Sequence, residues 1–161
     1  MCAAPKSIKT PCIGTCSTIY GDTVCRGCSR FQHEIIDWNR YTPNEQSAVW
    51  SRIEQVIVTV LYSKVLIPDA QAFKQQLVGQ RIRFPEKLDP LVWVNALLNQ
   101  MERRRLNLSH FDIHLRNPFN ALPTPAFHTL IQNEIFELAN AFYDQHLERA
   151  FRHTDLVKPI T

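Results

Sequence analysis

Pro11-Cys12-Ile13-Gly14-Thr15-Cys16 is followed, after an eight-residue spacer, by Cys25-Arg26-Gly27-Cys28, and together they hold four of the chain's five cysteines. The first pair is spaced C-x3-C and the second C-x2-C. Thiols crowded this closely serve three chemistries: a metal centre, a redox pair or a disulfide staple. Zinc takes four sulfurs in a tetrahedron and commonly draws them from close cysteine pairs. An iron–sulfur cluster uses the same donors at variable spacing. A thioredoxin-like pair calls for a βαβ context around its C-x-x-C, and the flanking sequence offers none. Gly14 and Gly27, one inside each pair, permit the sharp turns that aim two sulfurs at one ion. The expectation is a metal site of Cys12, Cys16, Cys25 and Cys28, holding Zn2+ or, as the alternative, an iron–sulfur cluster. Cys2 has no partner in sequence and reads as a bystander in a loose, basic arm over residues 1 to 10.

A chain of 161 residues with 45% hydrophobic content can bury a core of one medium domain. Its formal charge of +3 is too small to mark a nucleic-acid binder by itself. The basic excess is local, however: residues 64 to 116 hold nine Lys/Arg against five Asp/Glu. The apolar run Val56 to Tyr62 is far shorter than the ~20 residues that span a bilayer. No apolar signal segment precedes the cysteines. A cytoplasmic location is therefore expected, where thiols stay reduced and the disulfide reading weakens.

Downstream of the cysteines the pattern turns helical. Ile19-Tyr20-Gly21-Asp22 reads as the tip of a small hairpin joining the two pairs. Ser29-Arg30-Phe31-Gln32 fits a capping box, opening a helix that runs to about Arg40 with Phe31, Ile35 and Trp38 on one stripe. Thr42-Pro43-Asn44-Glu45 is a stronger start signal: a threonine cap, proline in the first turn and glutamate three residues on. Val49, Ile53, Val56, Ile57, Val60 and Leu61 follow at helical spacing. The tract to Val65 is also rich in β-branched residues, which favour strands, so residues 57–67 stay open between helix and strand. Asp69 to Val78 reads as a short helix stopped by Gly79. Asp89-Pro90 opens a helix to about Arg105, and Thr124-Pro125 opens the long final one. Residues 81–84 and 110–116 alternate as strands do. Trp38, Trp50 and Trp93 fall on apolar stripes and read as core. The fold class expected is mainly α with a small N-terminal cysteine knuckle, leaving room for a short two- or three-stranded sheet from 81–84 and 110–116. The domains expected are a four-cysteine head over 11–41 and a helical body over 42–161.

One stretch resembles a known family. The cysteine frame with its glycines, then Gly21-Asp22, Val24, Ser29-Arg30, Glu34-Ile35-Ile36-Asp37-Trp38 and Thr42-x-x-Glu45 with Val49, is similar to the bacterial family called domain of unknown function 1289. That family is often labelled a predicted Fe-S protein. The likeness covers roughly residues 11 to 53, implies a metal on the cysteines and assigns no reaction.

Two other constellations invite a functional reading. His110, Asp112 and His114 put two imidazoles and a carboxylate on one strand face, the ligand types of non-haem iron oxygenases. The plain alternative is a solvated polar face. Arg103-Arg104-Arg105, with Arg81 and Arg83, is suited to phosphate or an acidic partner surface. The plain alternative there is cations offsetting a helix dipole. No phosphate-binding glycine loop, nucleophile elbow or H-E-x-x-H occurs. The function expected is a non-enzymatic zinc-knuckle module docking on a larger protein or ribonucleoprotein assembly. By analogy of architecture, RNA polymerase or the ribosome is the first partner to consider, with direct nucleic-acid contact open. An iron–sulfur protein for electron transfer or cluster sensing is the rival, and an iron-dependent oxidase body is a third reading.

Overall fold

The computed structural model describes residues 10–155. Cys2 and most of the expected N-terminal arm lie outside them. Four helices make the body: α2 (Pro43–Leu61), α3 (Ala70–Gly79), α4 (Pro90–Arg104) and α5 (Thr124–Asp155). They follow a one-turn-and-a-half helix, α1 (Gln32–Ile36), that closes the cysteine head. Two short strands, β1 (Val65–Leu66) and β2 (His114–Leu115), pair antiparallel. No helix among the described residues is long and apolar enough to cross a membrane.

Three of the body helices, α2, α3 and α4, start where their caps say. The Glu45 backbone N–H donates to Thr42 Oγ1 at 3.3 Å, and the Thr42 N–H donates to Glu45 Oε2 at 2.7 Å. These reciprocal bonds satisfy two donors that a helix start otherwise leaves orphaned. Asp69 accepts from the N–H groups of Gln71 and Ala72. Asp89 accepts from Leu91, one residue past Pro90. The stripe of α2 packs against α4 and α5, burying Val56, Ile57, Val60 and Leu61. The β-branched run thus continues as helix to Leu61, because burial of that stripe outweighs a weak local preference. It turns to strand only at Val65. Phe73, Leu77, Phe127 and Ile131 are wholly buried at the centre. Val24, Phe31 and Trp38 of the head join the same apolar cluster. Trp93 is buried as expected, while Trp50 is only partly so.

Several expectations need correction. Residues 81–84 form no strand. Ile82 and Phe84 are buried, so the alternation records burial, but the backbone of Arg83 bonds a side chain instead of a ladder. Its N–H donates to Gln100 Oε1 at 3.1 Å, and its carbonyl accepts from Gln100 Nε2 at 2.7 Å. Over 110–116 only His114–Leu115 is strand, and its partner is β1. Upstream, Leu108–His110 is a 3-10 turn capped by Asn107. Helix α3 runs through Gly79, and the left-handed residue past its end is Arg81, at φ 54°. The first helix starts later and ends sooner than its sequence suggested. Ser29 is left-handed at φ 58°, so it closes the second cysteine turn instead of capping. Phe31 takes the cap position, with its N–H donating to Glu34 Oε2 at 2.8 Å. The expected hairpin tip is a 3-10 turn, Ser17–Tyr20, ended by Gly21 at φ 102°.

Candidate metal centre

The two cysteine segments meet backbone to backbone. A Cβ added at Gly27 would stand 2.6 Å from the Thr15 carbonyl oxygen. No real side chain tolerates that distance, so glycine here is demanded by close approach and not by φ. Within the first segment Gly14, at φ 90°, donates its N–H to Cys12 Sγ at 3.4 Å. Within the second, the Ser29 N–H donates to the Cys25 carbonyl at 2.8 Å, and the Cys25 N–H donates to the Arg30 carbonyl at 2.9 Å. This tight loop places Cys25 and Cys28 side by side, both buried.

The two thiols are linked in their ionisation. The Cys28 thiol donates to Cys25, which brings the Cys25 thiol down to about 4 against the opposing cost of burial. The same bond, reinforced by burial, pushes Cys28 up. Cys25 Sγ also lies 3.6 Å from the Thr15 carbonyl, a contact that favours the protonated thiol and so opposes its ionisation. Arg30 Nε donates to Cys28 Sγ at 3.4 Å.

The remaining two cysteines stand apart from this pair. Cys16 Sγ is 3.0 Å from Thr18 Oγ1, and Cys12 is exposed. Among the described residues no three Cys, His, Asp or Glu side chains are gathered to hold one ion. The donor chemistry fits zinc or iron: four free thiols on two segments in backbone contact.

Three arginines hold the head together and to the body, and sequence reading passed over them. Arg26 lies over the Phe136 ring of α5, 3.7 Å from its centroid. Arg52 of α2 lies 3.7 Å over Phe31, donates to the Ser29 carbonyl at 3.0 Å and pairs with Glu34 at 2.5 Å. Arg30 lies 4.9 Å from the Trp38 ring centroid. Cations over ring faces are each worth about 0.5–2 kcal/mol. No spacing rule links Arg52 to Phe31, so sequence carries no signal for the contact.

Of the five arginines singled out, Arg83, Arg103 and Arg104 line one cavity of about 500 Å3 together with Cys12 and Cys28. Arg81 and Arg105 are not part of its lining; both are left-handed residues just past helix ends. His114 Nε2 is 3.8 Å from Asp112 Oδ1, both well exposed. His110 is turned elsewhere, its Nδ1 accepting from the Asn107 N–H at 3.4 Å. Sequence reading also missed the amides of the cavity, Asn95, Asn99 and Gln132. The four-residue steps from Asn95 to Asn99 to Arg103 were the available signal.

Comparison with known families agrees with the cysteine frame. Residues 10–56 match the model of a family described as Protein of unknown function (DUF1289). The likeness to that family is confined to this segment, under a third of the chain. It takes in the cysteine head, α1 and most of α2. No curated protein and no solved structure matches the chain.

Proposed function

We propose that the chain is a non-enzymatic binding module: a zinc-bearing cysteine head docks on a larger macromolecular assembly, and the helical body carries it. The observation behind this reading is the head's tip. Ile19 and Tyr20 are 74% and 86% exposed on the turn between the two cysteine pairs. Large apolar side chains presented on a braced turn are what a protein partner buries at the centre of an interface. The brace is local: the Arg26 N–H donates to Ser17 Oγ at 2.9 Å, joining the tip to the second cysteine pair. A metal on Cys12, Cys16, Cys25 and Cys28 would add folding free energy where apolar packing is thin. Transcription or translation machinery, RNA polymerase first, is the assembly to test.

Metal analysis with a visible spectrum tests the head. A colourless protein with about one zinc per chain supports the reading. A brown protein absorbing in the visible after anaerobic purification replaces it with an iron–sulfur one. A tagged full chain and its Ile19→Ser/Tyr20→Ser variant test the docking. The wild type should co-sediment with RNA polymerase or ribosomes, and the variant should not. Equal recovery of either assembly with both chains would remove the tip from the account.

A further inference from the structure

The cavity between the head and the body has a composition of its own. Ile53 and Ile57 of α2, Val92 of α4 and Ile135 of α5 supply its apolar wall. Its polar wall runs along α4 as Asn95, Asn99 and Arg103, spaced four apart and so on one face. The two asparagines have already committed their acceptor atoms. Asn95 Oδ1 accepts from Gln132 Nε2 at 2.9 Å. Asn99 Oδ1 lies 3.0 Å from His128 Nε2, which must be the donor, because an amide oxygen only accepts. Each Nδ2 amino group makes no hydrogen bond among the described residues. The acceptors face protein and the donors remain.

The arginines repeat the pattern. Arg104 Nη1 donates to the Gln80 carbonyl at 2.9 Å, which steadies it. The guanidinium groups of Arg83 and Arg103 have no carboxylate and no hydrogen-bond partner among the described residues. No Asp or Glu lines the cavity. In sequence, residues 1–9, which precede its lining residue Thr10, carry Lys6 and Lys9 and no carboxylate. Two exposed arginines elsewhere do find carboxylates, Arg26 with Asp22 and Arg40 with Asp37, whereas Arg81 and Arg105 pair with none among the described residues.

We infer that this cavity binds a small organic anion, an oxyanion group carried on an apolar or aromatic body. Guanidinium forks and amide N–H groups take the oxyanion, and the isoleucine and valine wall takes the body. The volume falls in the range of small-molecule sites, which are mostly apolar with a few placed polar groups. The inference does not rest on the metal or docking reading. Cys12 and Cys28 also line the cavity, but the groups assigned to the anion are arginine and asparagine side chains and not thiols, and the test requires no partner.

Calorimetric titration of the full chain with phenyl phosphate tests it, with inorganic phosphate and benzyl alcohol as parallel probes. Saturable one-to-one binding is expected, at least about tenfold tighter than either parallel probe. The Arg83→Ala/Arg103→Ala variant should lose about tenfold or more, while Arg81→Ala and Arg105→Ala bind as wild type. Both cavity arginines are exposed, so the variant should fold, and circular dichroism checks this. Asn99→Asp, which sets a carboxylate among the donors, should abolish binding. Three results would each overturn the inference. One is no saturation by phenyl phosphate at millimolar concentration. Another is equal affinity for inorganic phosphate. The third is the same loss from Arg105→Ala as from the double variant.

Discussion

Phe127 and Arg52 hold their neighbourhoods by opposite means. Phe127 on α5 is wholly buried among apolar side chains and offers its surroundings only shape and area. Arg52 on α2 brings a charge into a partly buried junction. There it meets a carboxylate, a backbone carbonyl and a ring face at once. The first kind of contact is interchangeable within limits, since volume-conserving apolar swaps cost little. The second is not, because each partner was desolvated for the other. The body is therefore expected to lose stability smoothly as its core is trimmed, and the head to fail when one partner is removed.

The comparison breaks most visibly at the core. Phe127→Ala should cost about 3–5 kcal/mol in chemical denaturation, while Phe127→Leu should cost much less. Arg52→Ala should come close behind, at about 3 kcal/mol or somewhat more, because it strands the Glu34 carboxylate. The sharpening experiment is Arg52→Met with Glu34→Gln. If the junction behaves as a charge pair, the double variant should be more stable than either single one. A double variant as damaged as the sum of its parts would make the junction ordinary packing.

Gly27→Ala should cost about 1–3 kcal/mol, since the added carbon meets backbone and not a movable side chain. Hydrogen exchange should place the loss in residues 12–28, with α4 and α5 unchanged. Thr42→Ala should cost about 1 kcal/mol by removing the cap of α2. The smallest effect expected is a pH dependence. Burial lowers the pKa of His128, with Glu102 partly opposing. Below about pH 6.5 the unfolded histidine takes up a proton that the folded one resists. Stability should therefore fall as pH drops through that value toward the lower folded pKa, and His128→Gln should flatten that part of the profile.

Helix starts were legible because caps act through neighbouring residues: Thr42-Pro43 and Asp89-Pro90 each mark the helix that begins there. Phe111 and Ile113 were legible as buried, but not as outside the ladder. Alternation reports which face is covered, and hydrogen bonding is settled by whatever backbone lies alongside. For 81–84 that neighbour is the side chain of Gln100. The cysteine frame was legible as a motif, and its family match agrees. The contact of Gly27 with Thr15 was not, because nothing in the spacing tells how closely two turns approach. Nor was the cavity, which forms between segments far apart in sequence.

The two-residue ladder between β1 and β2 has a topological consequence. Val65 faces Leu115 and Leu66 faces His114, so the chain leaves and returns at a single point, with α3 and α4 in the excursion between. Its ends stand about 5 Å apart. Such a unit can be lengthened, shortened or exchanged at its loops without moving the place where it is attached. The excursion is nonetheless anchored a second time, because α4 packs against α2 and α5 in the common core.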